Sequence, residues 1–490
     1  MTQIHELSAL ELAAAYRAGE TSPTEAAEHY LRRIEAHSTA LGAFVTVTAD
    51  AALRAAAAAT ETLRAARDLG EPLPALHGIP TAIKDLNATA GVRTAYGSVA
   101  MADFVPEASD EVVLRIERAG MISLGKTNTP EFGAPCYTEP DESIAPPART
   151  PYDLSRSAGG SSGGAAAAVA GGLVPIAQAS DGGGSIRIPA SVTGLVGFKP
   201  SRGRVSKAPV YGDITGLSTA GPMARTVRDS AALMDALAGP SVGEPTWAPT
   251  LPAGESYLGW CDRAPGRLRI ARWSQAALAD EPIDPQVLAA YESATAVLES
   301  LGHEIVDVPA PIAPDVLPTF EVVWAVSTAM APVPPELESE LRPLTRWLRS
   351  RGRAYSAVDF GAALVALHQV AATAVAALAG YDAVLTPTLA HLPAAVGEIR
   401  NDADPAEDFA AQVRYTPFTA QWNVTGMPAV SLPMGWSPPT ASGSTLPIGV
   451  MLAGRPAEDH LLYALAAQLE EAVSDGGDAW RRPPIDERFR

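Results

Sequence analysis

Between Gly159 and Pro189 the chain reads GGSSGGAAAAVAGGLVPIAQASDGGGSIRIP, with four serines and nine glycines. Glycine at this density lets successive backbone N–H groups converge on one point, which is how main chain alone builds an oxyanion hole. Ser185 directly follows Gly182, Gly183 and Gly184, so attack on a carbonyl and stabilisation of the resulting oxyanion can coincide there. The competing reading is a glycine turn entering a helix, with the serine as its cap. A serine nucleophile needs a group to take its proton, and the stretch holds no histidine: the flanking ones are His77 and His303. An amine is the other choice. The chain has only four lysines, Lys84, Lys126, Lys199 and Lys207, and arginine stays protonated in proteins.

Three familiar patterns compete with this reading. GMISLGKT, from Gly120 to Thr127, fits the phosphate-loop pattern letter for letter. That motif works as a flexible loop between strand and helix, whereas Met121, Ile122, Ser123 and Leu124 read as a buried strand and Pro130 follows soon after. SLGK, from Ser123 to Lys126, fits the S-x-x-K of penicillin-binding enzymes, but the companion K-T-G is missing because Asn128 follows Thr127. GGSSG, from Gly159 to Gly163, fits a nucleophile elbow. That elbow requires a downstream acid and then a histidine, and His303, His368 and His391 stand in no telling context.

The elements that must position these residues alternate between strand and helix. SALE (Ser8–Glu11) and SPTE (Ser22–Glu25) read as capping boxes, the second with proline at the first helical position. The first twenty residues read as an amphipathic helix and not a signal peptide. An alanine-rich helix is predicted over about Asp50 to Asp68, then a short strand carrying Lys84, a helix from about Asp110 to Ala119, and the strand MISLGK. GGAAAAVAGG is a small-residue helix able to pack closely on a sheet, and LVPIAQAS is a strand. Residues 315 to 380 read as mostly helical. YDAVLTPT, PAVSLPMG and PIGVMLAG are late strands. The pattern is that of an α/β protein with a large mixed, twisted sheet surrounded by helices. No internal repeat is visible, and one domain over 1–490 is expected: N-terminal helices at 1–70, a catalytic core at 71–240, a variable insert and helical region at 241–410, and strands completing the sheet at 411–490.

Composition narrows the class. Hydrophobic residues make up 47% and charged residues 19%, a globular balance. No apolar run of about 20 residues is evident, so no membrane span is expected. Cys136 and Cys261 make no disulfide framework, and a cytoplasmic enzyme is the simplest reading. A formal charge of −19 disfavours nucleic acid and anionic membrane as partners. A homodimer is compatible with all of this.

Taken together, the motifs resemble the amidase signature family. The pair GGSSGG and GGGSIRIP carries the likeness, with HGIPTAIKDL, GKTNTPEFG, GLVGFKPSRGRVS, GPMARTVRD, NVTGMPAVSLPMG and LPIGVMLAG, from about residue 5 to 485. TNTPE, TEP and RIPASV are nearest to bacterial amidases of the aminohexanoate cyclic-dimer hydrolase kind. The resemblance implies a serine–cis-serine–lysine triad with Ser185 as nucleophile, Ser161 as the bridging cis-serine and Lys84 as base. It places the oxyanion hole on the N–H groups of Gly182, Gly183, Gly184 and Ser185, and assigns Ser162, Asp181 and Arg187 to holding the loop, Arg187 as a bridge to Asp181. Many members carry threonine, isoleucine or alanine where this chain has Gly182. A lysine base must be neutral; burial away from carboxylates can lower a lysine pKa by about 3–5. Asp85 is adjacent to Lys84, but strand alternation points neighbouring side chains to opposite faces.

The resemblance implies an amide hydrolase acting through an acyl-enzyme, with no metal or organic cofactor and a small-molecule amide as substrate. The alternative within the family is the glutamine-using subunit of a tRNA amidotransferase. Pro135, Cys136 and Tyr137 depart from the small-residue stretch common at that point. A pocket bounded by Phe132, Cys136, Tyr137 and Ile144 is therefore expected to favour neutral, apolar or aryl acyl groups. Trp324 and Trp422 are further candidates for its wall.

Overall fold

The computed structural model describes residues 3–210, 212–276, 278–440, 443–476 and Phe489. The rest of the expected C-terminal segment lies outside the described residues. Eleven strands fall where apolar, β-branched runs are bounded by glycine and proline. They are β1 (Phe44–Val47), β2 (Pro80–Lys84), β3 (Ile122–Thr127), β4 (Ile176–Asp181), β5 (Val196–Lys199), β6 (Thr219–Ala224), β7 (Arg269–Arg272), β8 (Glu304–Asp307), β9 (Ala383–Pro387), β10 (Ala429–Trp436) and β11 (Pro447–Gly454). Eight form one mixed sheet in the order β4-β6-β5-β10-β11-β9-β7-β8. Its pairs are antiparallel from β4 through β9 and parallel across β9-β7-β8. The late strands β10 and β11 therefore sit at the centre of the sheet, between β5 and β9.

The remaining strands make a separate sheet in the order β1-β3-β2. Here the structure refines the single sheet that the sequence suggests. Strand β2 lies against β4, but side chains bridge the two in place of a backbone ladder. Thr81 Oγ1 donates to the carbonyl of Ile176 at 3.0 Å, and the Lys84 N–H donates to Gln178 Oε1 at 2.9 Å. The last residue of β2, Lys84, thus ends beside the last residues of β4, at the junction of the two sheets.

The helix Gly163–Ala170 explains its own composition. Every residue in it is buried, and a Cβ on Gly164 would stand 2.3 Å from the Asn128 nitrogen. Only glycine and alanine let this helix sit so close to its neighbours. Ser8 forms a complete capping box with Glu11; it separates a single 3-10 turn, Ile4–Glu6, from the helix Ala9–Ala18. SPTE is only half a box. The Ser22 side chain caps Glu25 N–H, but the Glu25 carboxylate accepts from Thr21 and Ser22 hydroxyls and not from the cap backbone.

One composition-based expectation is corrected. The helix Ala357–Leu378 is long and apolar enough to cross a bilayer by length and composition alone. Asp359, His368 and Gln369 interrupt this run in the sequence. In the structure Ala363, Leu367, Ala374 and Leu378 form its buried face, and Ala363, Leu367 and Ala374 join a core cluster with Val323.

Candidate active site

Strand β4 ends at Asp181, and the chain then turns through Gly182–Gly184 to Ser185 and the helix Arg187–Thr193. Asp181 organises this turn. Its carboxylate accepts from the N–H groups of Gly184 (2.8 Å) and Ile186 (3.1 Å), from Arg187 Nε (3.0 Å) and Nη2 (2.9 Å), and from Asn423 Nδ2 (2.9 Å). Arg187 in turn donates to the Thr419 carbonyl at 2.9 Å and to Asn423 Oδ1 at 2.8 Å. The ion pair is fully buried. Burial opposes ionisation of Asp181, but the guanidinium beside it outweighs burial and holds the carboxyl well below its ordinary range. The bridge expected between Arg187 and Asp181 is thus present.

Gly184 has φ +135°, and a Cβ there would meet Thr419 Oγ1 at 2.5 Å, so the position requires glycine. Its N–H is engaged by Asp181. Among the described residues no hydrogen bond engages the N–H groups of Gly182, Gly183 and Ser185. A Cβ on Gly182 would only touch the Trp324 indole, at an ordinary 3.5 Å. The absence of a side chain at 182 is matched by Trp324 lying over the loop.

Ser161 enters from the other glycine cluster. The Gly160–Ser161 peptide bond is cis. Gly160 leaves its backbone against that of Cys136 and Tyr137, where a Cβ would stand 2.6 Å from the Tyr137 nitrogen. The next residue ties the two serine segments together. Ser162 N–H donates to the Ser185 carbonyl at 3.2 Å, and Ser162 Oγ donates to the Ser180 carbonyl at 3.0 Å.

Lys84 is completely buried. Its Nζ lies 2.8 Å from Ser161 Oγ and 3.3 Å from the Ser180 carbonyl. Burial brings its pKa from 10.5 down to about 7, against the opposing pull of Asp181. Asp85 points elsewhere, as alternation requires. It accepts from Ala95 N–H at 2.9 Å and pairs with Lys126 at 3.6 Å. Lys84 Nζ donates to Ser161 Oγ here, and at that distance the neutral amine has a lone pair able to accept a proton from the same hydroxyl.

The competing patterns lead elsewhere. GMISLGKT is strand β3 preceded by a turn. Lys126 is buried and donates to the Asn87 carbonyl at 2.6 Å and to Thr94 Oγ1 at 2.8 Å. No histidine joins the serines: His303 accepts from Leu268 N–H and contacts Gln468, and His391 pairs with Glu281. Among the described residues no cluster of His, Cys, Asp or Glu is arranged to hold a metal ion.

Two cavities meet at Ser185. One, the narrower at about 80 Å³, is walled by Pro135, Cys136, Ile188, Phe320, Phe409 and Val413, among other mostly apolar side chains. The other, of about 730 Å³, is wider and contains Ser161, Gly182, Phe132 and Asn87 in its wall. Ala134, Ser185 and Trp324 belong to both. Of the expected pocket residues, Phe132 and Cys136 are therefore in place. Tyr137 and Ile144 line neither cavity. The Tyr137 hydroxyl donates to Asp408 Oδ2 at 2.7 Å and its ring joins a core cluster with Ile188, Val192 and Leu389. Ile144 is buried in the turn that starts at Asp141. Trp422 is core, against Trp273.

Three features are not evident from the sequence. Phe320, stacked at 5.5 Å on the expected wall residue Trp324, has only the (i, i+4) spacing of one helix face as its signal. Asn423 is visible only as a letter within NVTGMPAVSLPMG. Gln178, which fixes the Lys84 backbone, gives no signal beyond being a polar residue in an apolar strand.

The amidase family profile matches residues 25–463. An acylamidase of Rhodococcus erythropolis is 33% identical, covering 95% of this chain and 95% of that protein. A glutamyl-tRNA(Gln) amidotransferase subunit of Salinispora arenicola is 34% identical over 96% of this chain and 98% of its own. The structure of 6-aminohexanoate cyclic dimer hydrolase superposes with a TM-score of 0.88 at 30% identity, over 99% of this chain and 100% of that one. Sequence, sheet order and neighbours thus converge, and the chain belongs to the amidase signature family, whose members of this kind are hydrolases acting on amides.

Proposed function

We propose that the protein hydrolyses neutral carboxylic amides through an acyl-enzyme on Ser185. Ser185 Oγ attacks the carbonyl carbon while its proton passes through Ser161 to Lys84. The N–H groups of Gly182, Gly183 and Ser185 hold the oxyanion. The C–N bond breaks, the departing nitrogen takes the proton from the Lys84–Ser161 relay, and water then cleaves the ester. The observation that carries this reading is the buried Lys84 amine 2.8 Å from Ser161 Oγ, with Ser161 and Ser185 in the wall of one cavity.

Small amides, anilides and oligomeric amides are the substrates, with carbamates and esters accepted by the same chemistry. The names of the acylamidase and cyclic dimer hydrolase relatives support that class. The amidotransferase relative raises a second reading, in which free glutamine is the substrate. Among the described residues no charged side chain lines the narrow cavity, and burying an unpaired charge costs several kcal/mol. Glutamine, with its ammonium and carboxylate, is therefore a poor fit. A panel of glutamine, acetanilide, benzamide and a phenyl carbamate tests this. Anilides are expected to be cleaved best, and glutamine as the best substrate would overturn the reading.

A further inference from the structure

The two cavities differ in shape and polarity, and the relay breaks the symmetry between them. Ser185 lines both, but Ser161 lines only the wide one. The nitrogen that leaves must receive its proton from the Ser161 side. The scissile bond therefore lies with nitrogen toward the wide cavity and the acyl carbon chain toward the narrow one. We infer that the protein takes amides of a compact, apolar or aryl acid joined to a long amphipathic amine, with the acid in the narrow apolar cavity beside Ile188, Phe409 and Val413 and the amine projecting through the wide cavity to the surface. This rests on the Ser185–Ser161–Lys84 reading and adds which end of the substrate goes where.

The walls fit that division. The narrow cavity takes side chains from the helices Leu317–Ala329 and Pro405–Tyr415 into its wall, and its small volume limits the acid. The wide cavity opens at a rim where Phe104, Val210, Ile214 and Met330 are 41%, 75%, 60% and 51% exposed. Single exposed apolar side chains are ordinary on any surface, but four around one mouth form an apolar rim. Deeper in, the wall is polar. Lys207 is the only cation among its described residues, and it is already paired with Asp213 at 2.7 Å. Asp110 is engaged by Asn87 Nδ2 at 2.9 Å. A neutral amine portion with hydrogen-bonding groups near the nitrogen and an apolar tail satisfies both layers. Trp324, over Gly182 and Gly183, is the partition between the two compartments.

Two substrate series on the wild-type protein test the assignment. Benzoyl amides of ammonia, butylamine, octylamine and dodecylamine lengthen the amine; anilides of acetic, benzoic, naphthoic and dodecanoic acids lengthen the acid. kcat/KM is expected to hold or rise along the first series and to fall about tenfold or more past the benzoyl member of the second. Val413→Trp, in the narrow cavity only, should lower benzanilide turnover about tenfold more than acetanilide turnover. Ile214→Ser, at the rim only, should lower the dodecylamide and spare benzamide. Rapid quenching followed by mass measurement of the Ser185 peptide keeps the two levels apart. A covalent acyl adduct with the length trends reversed, or equal in both series, overturns the assignment and leaves the triad intact. No adduct on that peptide overturns the triad, and the assignment with it.

Discussion

Replacing Lys84 with methionine separates the lysine's chemistry from its packing. Methionine keeps the unbranched stem and removes the amine. Burial brings the Lys84 pKa from 10.5 to about 7, a drop equivalent to about 5 kcal/mol between its charged and neutral forms. The sign follows from proton counting. Between pH 7 and 10.5 the unfolded chain holds a proton on this lysine that the folded chain lacks. Wild-type stability therefore rises with pH through that window, and the whole penalty is in place at and below pH 7. Methionine has no such penalty at any pH. It forfeits the hydrogen bonds to Ser161 Oγ and the Ser180 carbonyl, at about 1 kcal/mol each; the carbonyl keeps its bond from Ser162 Oγ. The variant is then expected to be more stable than wild type by about 2–3 kcal/mol at pH 7, the gap narrowing by about 1.4 kcal/mol per pH unit above it. Urea unfolding of both proteins at pH 6.5, 8 and 9.5 measures the gap. Lys199 and Lys126, lowered by burial to about 7 and about 8, are common to both proteins and cancel in the difference. The same titration sets the rate: wild-type kcat/KM should rise with pH to a plateau above about 7, and the variant should be inactive. A stability gap independent of pH would mean that Lys84 is cationic in the folded protein at neutral pH, and the base would have to be sought elsewhere.

Other outcomes are expected from the same geometry. Ser185→Ala should lower kcat by up to about 10⁶-fold, and Ser161→Ala by less because water can bridge part of the gap. His303→Ala, His368→Ala and His391→Ala should leave steady-state rates within a few-fold of wild type; one of them as dead as Ser185→Ala would restore a histidine base. Gly182→Ala should retain most activity, since its Cβ meets Trp324 at 3.5 Å, whereas Gly184→Ala should abolish it through contact with Thr419 at 2.5 Å. Thermal melts of both variants separate loss of the loop from loss of the fold.

What can be read from sequence is what the chain encodes locally. The glycine clusters force close backbone approach within a few residues, the scarcity of lysine leaves few bases, and the apolar runs bounded by proline and glycine place β4, β10 and β11. Tyr137 and Ile144 stand outside the pocket because sequence proximity to Phe132 does not fix which way a side chain points. Tyr137 turns to Asp408, which lies 271 positions away. The far wall of the narrow cavity, with Phe320, Phe409 and Val413, comes from segments brought in only by tertiary packing. The N–H of Gly184 is different: Asp181 stands three positions before it, the spacing at which a capping carboxylate accepts from a backbone N–H, so its capture by the carboxylate is within reach of the sequence.

The fastening of the Asp181 loop also sets when the enzyme comes alive. Its Asn423 bond spans 242 positions and its Thr419 bond, through Arg187, spans 232. Strands β10 and β11, which hold the sheet's two halves together, follow those residues. A growing chain on the ribosome therefore carries Lys84, Ser161 and Ser185 long before it carries the parts that shape the loop around them. A chain truncated before Thr419 is therefore expected to lack amide hydrolysis, which an activity assay of that truncation checks.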